Sequence, residues 1–184
     1  MQNKKSKTML VNLYGGPGSG KSTTMAGIFA ELKWMGVNCE MAPEFAKEKV
    51  WEESLAVLGN QIYVFGKQLH TIHRLIDKVD VIVTDSPLLL SLIYGNEGDA
   101  FKNLVLDVQN RFDNYNVFLT RIKEYNPAGR LQNEDEAKEI DSRIKSMLAT
   151  NNVYFSIVEG NKNAAKAIAT DIKSILDDRK QENQ

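Results

Sequence analysis

Gly15-Gly16-Pro17-Gly18-Ser19-Gly20-Lys21-Ser22-Thr23 is the stretch whose reading decides the fold. Gly15, Gly20, Lys21 and Ser22 fall on the fixed positions of the phosphate-binding pattern G-x-x-x-x-G-K-[ST]. The run Thr8 to Tyr14 before it is short, apolar and strand-like, and Ser22 to Trp34 after it reads as a helix. Strand, glycine loop and helix in that order are the context the pattern requires. Glycines leave no side chain between the backbone N–H groups and an anion. The helix start turns its unpaired N–H groups and the positive end of its dipole to the same spot. The spacing predicts a bound nucleoside triphosphate, with Gly16, Gly18, Ser19, Gly20, Lys21, Ser22 and Thr23 around its phosphates. Lys21 is placed to reach the β- and γ-phosphates, and the Ser22 hydroxyl to take one position on Mg2+.

Outward from that loop, 184 residues fit one domain, 1–184, with room for a sizeable core. A composition 42% hydrophobic and 26% charged is that of a globular protein rather than a disordered chain. The net charge of −1 argues against a general affinity for nucleic acid or anionic membrane and leaves room only for a local basic patch. The basic opening Met1 to Lys7 is followed by a strand and not by an apolar h-region, so no secretory signal is expected. No apolar run reaches the length of a membrane span. Cys39 is the single cysteine, which rules out an internal disulfide or cysteine metal cluster; it reads as a small residue on the second strand. A cytoplasmic protein is expected.

The remaining elements alternate. The first helix ends near Gly36, and Val37 to Met41 is a second strand, broken by Pro43. A charged helix is predicted from Glu44 to Val57 and an amphipathic one from Gln61 to Lys78, with Ile62, Phe65, Leu69, Ile72 and Ile76 on its apolar side. Val81 to Thr84 is a third strand, apolar enough to be buried on both faces. Leu88 to Tyr94 reads as helical. Asp99 then caps a helix over Ala100 to Phe112. Asn116 to Thr120 is the fourth strand, and the polar stretch 121–133 follows it. A helix over Glu134 to Ala149, a fifth strand over Val153 to Val158 and a last helix over Ala164 to Leu176 complete the pattern, with Asp177 to Gln184 as a frayed tail. This alternation predicts an α/β fold of three layers, α/β/α, around a five-stranded parallel sheet of the P-loop NTPase kind.

Four further features carry candidate chemistry. Asp85 ends the third strand, at the sheet edge where open α/β folds bind ligands. Three roles fit it: a Mg2+ ligand, a base for a substrate hydroxyl, or the N-cap of the segment begun by Pro87. Glu44, in Ala42-Pro43-Glu44-Phe45-Ala46, follows the second strand and fits either an acceptor site beside the γ-phosphate or the start of a helix. The stretch 121–133 holds Arg121, Lys123 and Arg130 with Pro127 and Gly129, the composition of a flap that closes cations over phosphates and excludes water. Arg143 on the next helix is expected to face the same site or to be solvated. Gln61, Phe65 and Gln68 share a helix and fit either nucleobase contacts or core packing. Packing is the expectation for Trp34 and Trp51. His70 and His73 lack a third ligand and are expected on an exposed helix face.

Taken together, the loop at 15–22, the acidic segment Pro43-Glu44-Phe45-Ala46, Asp85 after the third strand, and Arg121 and Arg130 ahead of a helix with Ile144 and Leu148 resemble the P-loop kinases of nucleosides and nucleotides. The likeness spans nearly the whole chain. It is greatest to the nicotinamide riboside kinase-like group of small AAA-like P-loop proteins, which has many phage-encoded members. The resemblance implies ATP and Mg2+ as cofactors and Glu44 and Asp85 as the acids that handle the acceptor hydroxyl and the metal. It makes Arg130 a lid arginine, with Arg121 beside it. One departure stands out. Asp85-Ser86-Pro87 replaces the Asp/Glu-Arg-Ser of the deoxynucleoside kinases, so a transition-state arginine has to come from the lid.

The function this predicts is transfer of the γ-phosphate of Mg-ATP to a small nucleoside- or nucleotide-like acceptor, with Lys21, Glu44, Asp85, Arg121 and Arg130 as catalytic residues and Ser22 and Asp85 on the metal. Two alternatives remain: a kinase acting on nucleic acid, at a 5′ end or a modified base, and an NTP-driven switch or assembly ATPase. Against the switch, Asn161-Lys162-Asn163-Ala164 lacks the acid of a guanine-binding Asn-Lys-x-Asp, and an AAA+ motor calls for a further helical lid domain. Neither a membrane partner nor a particular oligomeric state is read from the chain.

Overall fold

In a computed structural model, residues 7–95, 97–122 and 133–182 are described. Five strands, β1 (Met9–Tyr14), β2 (Cys39–Ala42), β3 (Val81–Thr84), β4 (Asp113–Thr120) and β5 (Ser156–Glu159), form one sheet in the order β2-β3-β1-β4-β5. Every pairing is parallel. β1 lies in the middle, paired along Met9–Asn12 with β3 and along its whole length with β4. Parallel strands need crossovers, and the helices supply them. They are α1 (Lys21–Trp34), α2 (Phe45–Trp51), α3 (Gln61–His73), α4 (Ser91–Tyr94), α5 (Gly98–Gln109), α6 (Glu134–Thr150) and α7 (Ala164–Glu182), with short 3₁₀ turns at Leu55–Gly59 and Leu88–Leu90. The predicted five-stranded parallel α/β/α architecture of a P-loop NTPase is what forms.

The period of two in β1 divides the interior. Met9, Val11 and Leu13 face one way and pack with Met25, Ile28 and Leu32 of α1 and Ile168, Ile172 and Leu176 of α7. Leu10 and Tyr14 face the other way, into a cluster with Phe65 and Ile72 of α3, Phe101 and Val105 of α5, and Ile140, Ile144 and Leu148 of α6. All the strands being parallel, their carboxyl ends lie along one edge. That edge carries the glycine loop after β1, Pro43-Glu44 after β2, Asp85 after β3, Arg121 after β4 and Gly160 after β5.

Several boundaries differ from those predicted, each for a local reason. The helix begun at Phe45 stops at Trp51, where Glu53 takes a left-handed φ of 55°, and a 3₁₀ turn covers Leu55–Gly59 in place of its predicted second half. α3 ends at His73 rather than Lys78, with Asp77 at φ 60°. Its inner face is Gln61, Phe65, Gln68 and Ile72, so Ile62 is outside, 56% exposed. Asp99 lies in the first turn of α5, which begins at Gly98, and Glu97 holds the cap position. β4 begins three residues before Asn116, at Asp113, because Asn12 donates to the side chains of both Asn114 and Asn116 and ties the polar start of β4 to β1. β5 is confined to Ser156–Glu159. The tail predicted to fray is helical through Glu182, with Lys173 and Asp177 paired along its surface. Trp34 and Trp51, expected to pack, are 79% and 68% exposed.

Candidate active site

The glycine loop folds as its sequence requires. Gly15 (φ 138°), Gly18 (φ 81°) and Gly20 (φ 94°) occupy backbone conformations that side chains disfavour. A Cβ at Gly15 would also meet the Leu119 carbonyl at 2.9 Å. Gly20 stands at the N-cap of α1, so the first-turn N–H groups of that helix are left for an anion. Lys21 Nζ turns back and donates to the carbonyls of Gly15 (2.7 Å) and Gly16 (3.2 Å). Burial foremost lowers its pKa, and Arg121 lowers it further; the carboxylates of Glu44, Asp85 and Asp141 oppose this.

Asp85 is buried, and its Oδ2 accepts from Ser22 Oγ at 2.6 Å. The carboxyl end of β3 therefore meets the start of α1, as neighbouring strands β1 and β3 dictate. The N-cap alternative for Asp85 is not realised: Pro87, not Asp85, precedes the 3₁₀ turn, and no side-chain cap bond is formed there. Its other oxygen, Oδ1, is buried with no hydrogen-bond partner among the described residues.

Glu44 occupies the N-cap position of α2 but makes no capping bond. Burial raises the pKa of its carboxyl, and Asp85 adds to the rise; Lys21 and Lys47 oppose it. A small network sets the position of Glu44. Thr84 Oγ1 donates to the Ala42 carbonyl (2.7 Å), tying β2 to β3. Gln68 Nε2 donates to the same carbonyl (3.4 Å) and to Thr84 Oγ1 (3.3 Å), while its Oε1 accepts from the Phe45 backbone (3.2 Å). Gln68 thus holds the β2–α2 junction while also lining the cavity beside the loop, and Phe65 is core. Gln61 Nε2 donates to the Leu58 carbonyl at 2.7 Å.

A cavity of about 460 Å³ opens from the loop. Gly18, Gly20, Lys21, Ser22 and Thr23 line one end with Glu44; Val50, Trp51, Leu58, Val64, Leu90 and Tyr94 supply apolar and aromatic walls. The Tyr94 hydroxyl is pushed up to about 12, chiefly by burial and then by the Glu44 carboxylate, with Arg143 opposing. Ser19 Oγ, behind the loop, is buried and has no partner among the described residues.

Arg121 is fastened to the glycine loop and to α6. Its side chain is 8% exposed and forms an ion pair with Asp141 of α6 at 3.0 Å. Its Nη2 also donates to the Pro17 carbonyl at 2.9 Å. Arg130 and Lys123 lie outside the described residues. Arg143 turns elsewhere, donating to the Ile93 carbonyl of α4 (2.5 Å) beside a second cavity. His70 and His73 are exposed on α3, and the described residues contain no group of three or more His, Cys, Asp or Glu side chains placed to hold a metal.

Sequence reasoning missed two residues. Asp141 carries no motif and comes to Gly16 from a residue 125 positions away. Tyr94 reads as part of an apolar helix. The signal for Asp141 was faint but present: an acid one position outside the apolar repeat Ala137, Ile140, Ile144, Leu148.

Comparison with known families agrees with this geometry. A family model described as an AAA domain matches residues 10–164, and the chain belongs to that family. The class is that of a P-loop domain that binds nucleotides. Among curated proteins none matches the chain. No helix of the described residues is long and apolar enough to cross a membrane.

Proposed function

We propose that the protein is a phosphotransferase of the nicotinamide riboside kinase-like kind, moving the γ-phosphate of Mg-ATP to a small nucleoside- or nucleotide-like acceptor in the cytoplasm. The observation that carries this reading is a carboxylate, Glu44, held at the junction between the anion loop and a cavity of about 460 Å³ with apolar and aromatic walls. A simple switch has no need of a cavity that runs from the loop past a carboxylate to apolar and aromatic walls.

In this reading the N–H groups of Gly18, Ser19, Gly20, Lys21 and Ser22 hold the phosphates, and Lys21, whose ammonium has three donors, keeps the Gly15 carbonyl and turns another N–H to a phosphate oxygen. Ser22 Oγ and Asp85 fit a divalent cation, because Asp85 Oδ1 is an orphaned buried acceptor beside the Ser22 hydroxyl. A Mg2+ held by Ser22 and Asp85 would supply charge neutralisation for the phosphates. Glu44 lines the cavity and takes the proton of the acceptor hydroxyl; its raised pKa suits a base better than an ordinary carboxylate. The resemblance assigns Arg130 to the closing lid. Arg121, fastened at Pro17 and Asp141, shapes the loop from outside.

The test is a screen of nucleosides, nucleotides and short oligonucleotides for transfer of label from γ-labelled ATP. Lys21→Ala and Asp85→Asn should each lower transfer by about a hundredfold or more with the fold retained. Full activity in Asp85→Asn would remove that residue from the mechanism. Turnover independent of every acceptor would replace the kinase reading by a nucleotide hydrolase, and transfer only to oligonucleotides would favour a nucleic-acid kinase.

A further inference from the structure

We infer that Asp141 is a positioning residue for the P-loop lysine, acting on Lys21 through the one peptide unit that joins Gly15 to Gly16. A trans peptide unit is planar, with its C=O and N–H pointing in opposite directions, and no cis bond occurs among the described residues. On one edge of that plane the Gly16 N–H donates to Asp141 Oδ1 at 2.5 Å. On the other edge the Gly15 carbonyl accepts from Lys21 Nζ at 2.7 Å. A carboxylate and an ammonium therefore grip opposite ends of a single rigid unit. Both bonds are charge-assisted, and each polarises the amide in the sense that strengthens the other. Turning the plane to release the lysine would break the bond to Asp141.

The surroundings are built around this grip. A Cβ at Gly16 would lie 2.6 Å from the Ala137 carbonyl and 2.8 Å from Asp141 Oδ1, so α6 is seated directly on the bare backbone of the loop. Asp141 is in turn held by Arg121 at 3.0 Å. The same guanidinium nitrogen donates to the Pro17 carbonyl at 2.9 Å, which fixes a second peptide of the loop. The chain thus enters the anion cradle with its first turn clamped from α6, and the lysine starts from a defined direction before phosphates arrive. This inference rests on nucleotide binding by the loop and involves no phosphate acceptor, so it stands or falls apart from the transfer reaction.

The competing view makes Asp141 only the counter-ion of a buried arginine. A titration with a fluorescent ATP analogue separates the two, using the intact chain, Asp141→Asn, Asp141→Glu, Lys21→Ala and the Asp141→Asn/Lys21→Ala double variant, each with its thermal unfolding recorded. Asp141→Asn should weaken ATP by roughly tenfold, in line with the strength of hydrogen bonds to charged groups. The double variant should bind no more weakly than Lys21→Ala alone, because the aspartate has nothing left to position. Asp141→Glu keeps the charge beside Arg121 but moves it by one methylene, and should also lose affinity. The inference is overturned if Asp141→Asn or Asp141→Glu lowers thermal stability while ATP binds as in the intact chain. Losses that multiply in the double variant would also overturn it. If Asp141→Asn does not fold, the glutamate variant decides alone.

Discussion

Glu44 and Asp85 are both acids at the end of a strand, yet their surroundings differ. Asp85 is spoken for on one oxygen by Ser22, and its second oxygen is buried with no partner among the described residues, which leaves it for the proposed cation. Glu44 has no capping bond and sits at the cavity, where burial holds its proton more tightly than usual. If Glu44 is the base, Glu44→Gln should lower kcat by about 10²- to 10⁴-fold while ATP affinity stays near its original value. The sign of the pH dependence follows from the raised pKa. The active carboxylate is the ionised form, so kcat/KM should be full above the raised value and fall as pH drops through it. That acid limb should lie above the ordinary carboxylate range. A limb within the ordinary range, or a kcat unchanged in Glu44→Gln, would remove Glu44 from the chemistry. Asp85 and Glu44 were legible in the sequence because each ends a strand. Asp141 was not, because an acid beside the apolar repeat of α6 says nothing of which residue, 125 positions earlier, it will meet.

At the level of elements, the turn between β5 and α7 bears on the loop as directly as α6 does. Gly160 donates its N–H to the Thr120 carbonyl at 2.9 Å. A Cβ on it would collide with the Ser19 carbonyl and stand 3.0 Å from that of Thr120. Gly160→Val should therefore displace the loop, weakening ATP by about tenfold or more and lowering stability by roughly 1–3 kcal/mol, the range for overpacking. Titration and thermal unfolding of that variant are the check, and unchanged binding would mean that the turn gives way without disturbing the cradle. Elements with a strong apolar period, such as β1, β3 and α6, could be placed from sequence. α2 and the end of α3 could not. There the chain leaves the helix at Glu53 and Asp77 through left-handed residues that are not glycine, and such turns leave little mark on hydrophobic pattern. The helical end of α7 was missed for the opposite reason: polar residues on a solvent face look like a tail, although Leu176 still anchors the helix to the sheet.

For the molecule as a whole, strand order does most to make a site. With β1 between β3 and β4, the loop, Asp85 and Arg121 must converge on one edge, and β2 beyond β3 brings Glu44 beside them. Alternation of strands and helices predicted parallel strands and that shared edge; the order itself emerged only from the fold. Because the loop touches α1, α6 and the β5–α7 turn, ligand binding should be felt throughout the fold. ATP with Mg2+ at a hundredfold above its Kd should add about 2.7 kcal/mol. For a chain of this length that raises Tm by roughly 5–10 °C. Lys21→Ala should lose most of the shift, and a shift retained in that variant would place the nucleotide elsewhere.

The two tryptophans divide usefully between the ends of this architecture. Trp51 lines the cavity while Trp34 closes α1 away from it, and both rings remain open to water. The protein consequently carries a built-in optical gauge: a molecule entering the chamber dims or blue-shifts one indole emission while the other supplies a steady reference, so candidate acceptors can be sorted with no label attached.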